Sequence, residues 1–125
     1  MAQRSSRERN LSDSFPISLH PDAAAGLFPV SFEQVEETWS HWPRMFFEPD
    51  GSFVWVAEDQ SWQLDGVVYD RDDHVLRVDL TGVYTAEPFQ QLVRSLGWPD
   101  AKLRVEKVRD GQFLDVEQFL RDSVS

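Results

Sequence analysis

Between Arg44 and Tyr84 three apolar-rich runs, MFFEPDGSFVWVAED, SWQLDGVVYDRDD and HVLRVDLTGVY, follow one another with only short polar breaks. The breaks fall at Asp50-Gly51, Glu58-Asp59-Gln60 and Arg71-Asp72-Asp73, all turn-forming residue types. Connections this short suit hairpins, whereas a parallel crossover needs about a dozen residues or more, so the pattern predicts an antiparallel meander. Trp62, Leu64 and Val68 fall on one face, and Leu76, Val78 and Leu80 do the same on the next strand. Gln63, Asp65, Arg77, Asp79 and Thr81 fall on the other side. The sheet is therefore expected to bury one face. Phe53-Val54-Trp55-Val56 lacks this alternation, which predicts a central strand or one whose second face is covered by the N-terminal segment.

Helices are marked by their caps. Ser31 followed by Gln34 is a capping box, with Val30 placed to staple onto Val35. Phe32, Val35 and Trp39 then form one apolar stripe, Glu33, Glu36 and Glu37 point elsewhere, and Pro43 ends the run. Thr85 caps a second helix, with Glu87 in its first turn and a core stripe of Phe89, Leu92, Val93 and Leu96. Gly97-Trp98-Pro99 stops it. Lys102 to Val108 reads as a last strand with Leu103 and Val105 inward. Asp115 to Gln118 is another capping box, opening a helix from Val116 to about Asp122. The predicted fold is α+β: an antiparallel meander sheet of four to five strands with helices packed on one face. Residues 30–125 form this single domain. Residues 1–29, with Pro16, Pro21 and Pro29 and no periodic apolar face, are expected to be largely disordered, although Phe15, Ile17 and Leu19 alternate and can form a short edge strand.

Length and composition narrow the picture. A chain of 125 residues has room for one domain that buries roughly two-thirds of its unfolded surface. It has no cysteine, which excludes disulfides, thiolate metal sites and a cysteine nucleophile, and points to a reducing, cytoplasmic setting. The N-terminus never reaches the apolar run of about 7 to 15 residues that a secretory signal needs. No stretch approaches the roughly 20 apolar residues of a membrane span. The formal charge is −10, and because Arg4, Arg7 and Arg9 balance Glu8, Asp13 and Asp22, all of it falls on the remaining residues. Phosphate neutralisation by Lys and Arg dominates nucleic-acid affinity, so no nucleic-acid partner is expected.

Candidate chemistry is sparse. Asp70, Asp72, Asp73 and His74 are the densest group of metal-ligand residue types, and Asp70-x-Asp72-x-His74 begins like a calcium loop. The match fails where Val75 replaces the sharp-turn glycine and Thr81 the bidentate glutamate, leaving a hairpin turn and no metal expectation. His20, His41 and His74 share no ligand spacing. No GxSxG or SxxK motif offers a nucleophile, and the six glycines are too dispersed for a phosphate loop. Twenty-two acids make any single carboxylate pair uninformative. Most aromatic residues fall on core faces; Trp42 and Trp98, at helix ends, are the exceptions that can anchor a partner.

The stretch DGSFVWVAEDQSWQLDGVVYDRDDHVLRVDLTG, followed by a helix ending in LGWP, resembles small uncharacterised bacterial proteins of the kind found in planctomycete genomes. The resemblance spans roughly Arg44 to Val108. It implies a bacterial, cytoplasmic domain and carries over no catalytic residue. The functional expectation is a non-enzymatic module presenting an acidic surface to a basic protein partner, with no cofactor. Its surface is drawn from Glu33, Glu36, Glu37, Trp42, Asp70, Asp72, Asp73 and His74. The alternative is a small hydrolase or ligand-binding domain with a pocket lined by aromatics and carboxylates. A concave pocket holding a titratable group with a perturbed pKa favours the second, and a convex acidic surface the first.

Overall fold

Ser31 opens the first helix through its capping chemistry. Its hydroxyl accepts the Gln34 N–H at 3.0 Å, while the Gln34 side chain accepts the Ser31 N–H at 2.8 Å. The computed structural model describes residues 16–22 and 26–124. In chain order the elements are β1 (Ile17–Pro21), α1 (Phe32–Ser40), β2 (Met45–Phe47), β3 (Ser52–Val56), β4 (Gln63–Arg71), β5 (His74–Val83), α2 (Ala86–Ser95), β6 (Leu103–Lys107), β7 (Gln112–Asp115) and α3 (Val116–Val124). The class is α+β, as expected.

The sheet has seven strands, in the order β2-β3-β4-β5-β1-β6-β7, rather than four to five. Every pairing is antiparallel. One addition is β7, which returns along β6 through a turn in which Gly111 has φ 71° and donates to the Lys107 carbonyl at 2.8 Å. The other is β1, and it is no edge strand: Leu19 lies opposite Val78 of β5 on one side and Val105 of β6 on the other. The physical reason is the alternation of Ile17 and Leu19, which gives an apolar face with the sheet's own period, so the strand gains two ladders in the interior instead of one at the edge. Residues 1–15 and 23–25, which belong to the segment expected to be disordered, lie outside the described residues.

Register rows run straight across the sheet. Phe53, Gly66, Leu80 and Ile17 make one row; Val68, Val78, Leu19, Val105 and Leu114 make another. Apart from Gly66, these residues join the buried Val35 and Trp39 of α1, Phe89, Leu92 and Val93 of α2, and Val116 and Phe119 of α3 in a single core. Most of the predicted core residues, Leu64, Val78, Phe89, Leu92 and Leu96, are buried, but Leu76 is only half-buried and Val75 takes its place. A bulge explains the change. The turn Asp72-Asp73, with φ of 54° and 69°, pairs Arg71 with His74 and Asp70 with Val75, yet Tyr69 pairs with Arg77, so Leu76 is the extra residue. In β3, Phe53 and Trp55 are buried while Val54 and Val56 are half-buried. The strand sits one place in from the β2 edge, and β4 and β5 separate it from β1.

Candidate interaction surface

The meander's turns decide where the acids go. Backbone hydrogen bonds dock the β4–β5 turn onto the start of α1: Phe32 N–H donates to the Asp73 carbonyl at 2.9 Å, Val75 N–H to Val30 at 3.1 Å, and Phe28 N–H to Val75 at 2.9 Å. Ser31 forms an isolated bridge to His74. The β2–β3 turn closes at the same end, where the Gly51 carbonyl accepts Val68 N–H at 2.8 Å. So does the exit of β1, where Asp22 N–H donates to Lys102 at 3.1 Å. This pole carries Asp22, Glu33, Glu48, Asp50, Asp70, Asp72, Asp73 and Asp100, against Arg71, Lys102 and Arg104, whose Nε lies 4.0 Å from Asp22. Asp50 Oδ1 accepts both the Ser52 hydroxyl at 2.7 Å and the Ser52 N–H at 3.0 Å, and these bonds hold its pKa below the ordinary aspartate value.

Within the pole lies a cavity of about 580 Å³, with walls from Leu27, Phe28, Pro29 and Leu103 and with Asp22, His74 and Lys102 among its lining. Of the residues expected to form an interaction surface, Glu33, Asp70, Asp72, Asp73 and His74 lie at this pole, and of these His74 lines the cavity. Glu37, further along α1, and Trp42, just past its end, line a different shallow cavity of about 550 Å³ with Gln34 and His41. Glu36, on the same helix, is half-buried. Trp42 belongs to a row of indoles, 5.6 Å from Trp39 and 4.7 Å from Trp55 between ring centroids. Trp98 donates its Nε1–H to Glu117 Oε2 at 3.2 Å, which ties α2's end to α3.

The sheet face opposite the core carries a polar strip that sequence patterning marked only as outward-facing. Ser18 Oγ donates to Asp79 Oδ1 at 2.5 Å, Arg77 Nε donates to the same oxygen at 3.2 Å, and the Arg77 guanidinium lies 4.1 Å from the Tyr69 ring centre. Burial pulls the Arg77 pKa down, but the hydrogen bond and charge of Asp79, with Tyr69, more than reverse this and raise it. His20 Nε2 pairs with Glu106 Oε1 at 2.9 Å. Ser18 thus directs its hydroxyl to a carboxylate, and the pair forms no serine–histidine nucleophile. Among the described residues no three His, Asp or Glu side chains come together in a metal-holding arrangement.

At the other end of the sheet, a cleft of about 570 Å³ lies between Arg44, Glu58, Gln91 and the indoles of Trp55 and Trp62. Arg44 has φ 59° in the turn Trp42-Pro43-Arg44-Met45, closed by Met45 N–H to the Trp42 carbonyl at 3.3 Å. Glycine favours that third position, and a side chain there costs about 1 kcal/mol or more. The Arg44–Glu58 pair, at 4.0 Å with exposures of 49% and 89%, contributes about 0 to 1 kcal/mol and does not offset that cost. The sequence did contain a signal for this site, a proline followed by a non-glycine in a tight turn, but only the turn's φ gives it meaning.

No protein-family model, curated protein or solved structure matches the chain. Among the described residues no helix is long and apolar enough to cross a membrane.

Proposed function

We propose that the chain is a non-enzymatic interaction module that holds a basic segment of a protein partner at its acidic pole. The observation that carries this reading is the docking of the Asp72-Asp73 turn onto the start of α1, which brings carboxylates from distant parts of the sequence to the end of the sheet where an apolar cavity lined by Asp22, His74 and Lys102 opens. A lysine or arginine side chain matches that arrangement, its aliphatic stem against Phe28 and Leu103 and its charged head toward Asp22 and the carboxylates of the pole. Exposed carboxylates of this kind steer encounter and select partners by charge, with an effect that salt screens. The alternative of a small-ligand domain draws support from the same cavity. Hydrolysis draws less, because Ser18 is engaged by Asp79 and His20 by Glu106, and neither group with a displaced pKa, Asp50 or Arg77, lines any of the three cavities.

Calorimetry with a panel of lysine- and arginine-rich peptides, at low and moderate salt, tests the reading. The expected result is saturable binding that weakens with salt and falls roughly tenfold, about 1.4 kcal/mol, when Asp70, Asp72 and Asp73 are all replaced by Asn. Binding indifferent to both changes, or no preference for basic over acidic peptides, would sink it.

A further inference from the structure

We infer that the cleft between Arg44 and Trp62, at the end of the sheet away from the acidic pole, is a binding site for a neutral saccharide. Its floor is set in advance. Trp55 is 4% exposed and pinned by its Nε1–H, which donates to the Pro43 carbonyl at 3.1 Å. Trp62, half-buried, packs edge to face on it at 4.9 Å and 76°. An indole held this way offers flat apolar surface to the C–H face of a sugar ring without first having to be ordered.

The rim supplies the complementary chemistry. The Arg44 guanidinium, Glu58 carboxylate and Gln91 carboxamide are planar groups that together provide donors and acceptors, the combination that paired hydroxyls require. Arg44 and Glu58 lie 4.0 Å apart, so their charges largely cancel at the rim, and a polar ligand without net charge faces no unbalanced charge there. A stacked nucleic-acid base is disfavoured by the chain's formal charge of −10.

Arg44 supplies the third argument. It occupies a left-handed position that glycine would fill with less strain, and its exposed pairing with Glu58 does not compensate. Strain alone marks no site; what distinguishes Arg44 is that its side chain also lines the cleft. Gln60, with φ 62°, is an internal control: it carries the same strain in the neighbouring turn but does not line the cleft.

The experiment is a titration followed by tryptophan fluorescence and by the indole N–H resonances. The probes are mono- to tetrasaccharides of glucose, galactose, mannose and N-acetylglucosamine, with lysine, arginine and acetate as charged probes. The expected result is saturable binding of at least one saccharide, with the Trp62 indole resonance displaced. Trp62→Ala and Arg44→Gly should each weaken it by about tenfold or more. Arg44→Gly should leave the melting temperature unchanged or raised, and Gln60→Gly should do the same while leaving the affinity intact. The inference is overturned if no saccharide saturates the wild-type response, if only a charged probe does, if Arg44→Gly binds as wild type, or if that variant melts several degrees lower.

Discussion

Asp50, in the β2–β3 turn, accepts two hydrogen bonds from Ser52 at the start of β3, and so prefers its charged form. With a folded pKa below the ordinary 3.8, its contribution to stability is present above the unfolded value and is lost as pH falls through the folded one. An NMR titration should place its midpoint below 3.8, and Ser52→Ala should move it back upward. Gly66 is constrained differently. A Cβ there would lie 2.1 Å from the Asp79 carbonyl oxygen and 2.8 Å from the Phe53 ring, and the carbonyl belongs to a ladder that cannot retreat. Gly66→Ala should therefore cost about 1 to 3 kcal/mol in chemical denaturation, the range of core overpacking; a silent substitution would mean the sheet yields more than its register implies. Periodicity marks Leu64 and Val68 correctly around this glycine. It misplaces Leu76, because a bulge between a fixed turn and a fixed core face changes which residue is inward, and no local pattern announces it.

At the level of elements, what is written locally is what can be read. Ser31 and Gln34 exchange both capping bonds, whereas Thr85 stands at the N-cap of α2 without a side-chain bond. Ser31→Ala should cost about 1 kcal/mol, and Thr85→Ala distinctly less. Equal losses in urea melts would contradict the geometry. Leu92, fully buried in α2's stripe, should lose about 2 to 5 kcal/mol on truncation to Ala. Helix starts, stripes and meander turns were legible because each depends on residues a few positions apart. The place of β1 and the existence of β7 were not, since a strand's neighbours lie far away in sequence and Gln112–Asp115 is too short for alternation to show. The candidate surface divides the same way. Its acids could be named from turn and helix composition, but their convergence depends on the contact between Ser31 and His74, and Trp42 was grouped with them although it lies with the indoles.

For the molecule as a whole, β1 decides cohesion. The sheet would otherwise be a four-stranded piece, β2 to β5, and a hairpin, β6–β7, and β1 is bonded to both. Ile17 and Leu19 also close the core row between β5 and β6, so removing the strand would open a gap in the apolar layer and leave two ladders without partners. Because β1 pairs with strands far along the sequence, the fold depends on a contact between distant parts of the chain, which loop-closure entropy makes late and slow to form. Deleting residues 1–21 should abolish the cooperative thermal transition and the near-ultraviolet dichroism of the packed indoles. Leu19→Ala alone should cost about 2 to 5 kcal/mol, comparable with Leu92→Ala despite lying on so short an element. In hydrogen exchange, the slowest amides should be those of β1 and its partners β5 and β6, with the β2 edge opening first. A deletion variant that still melted cooperatively, with β6 and β7 protected, would mean that β5 and β6 can close on each other, and that β1 decorates the sheet instead of joining its two parts.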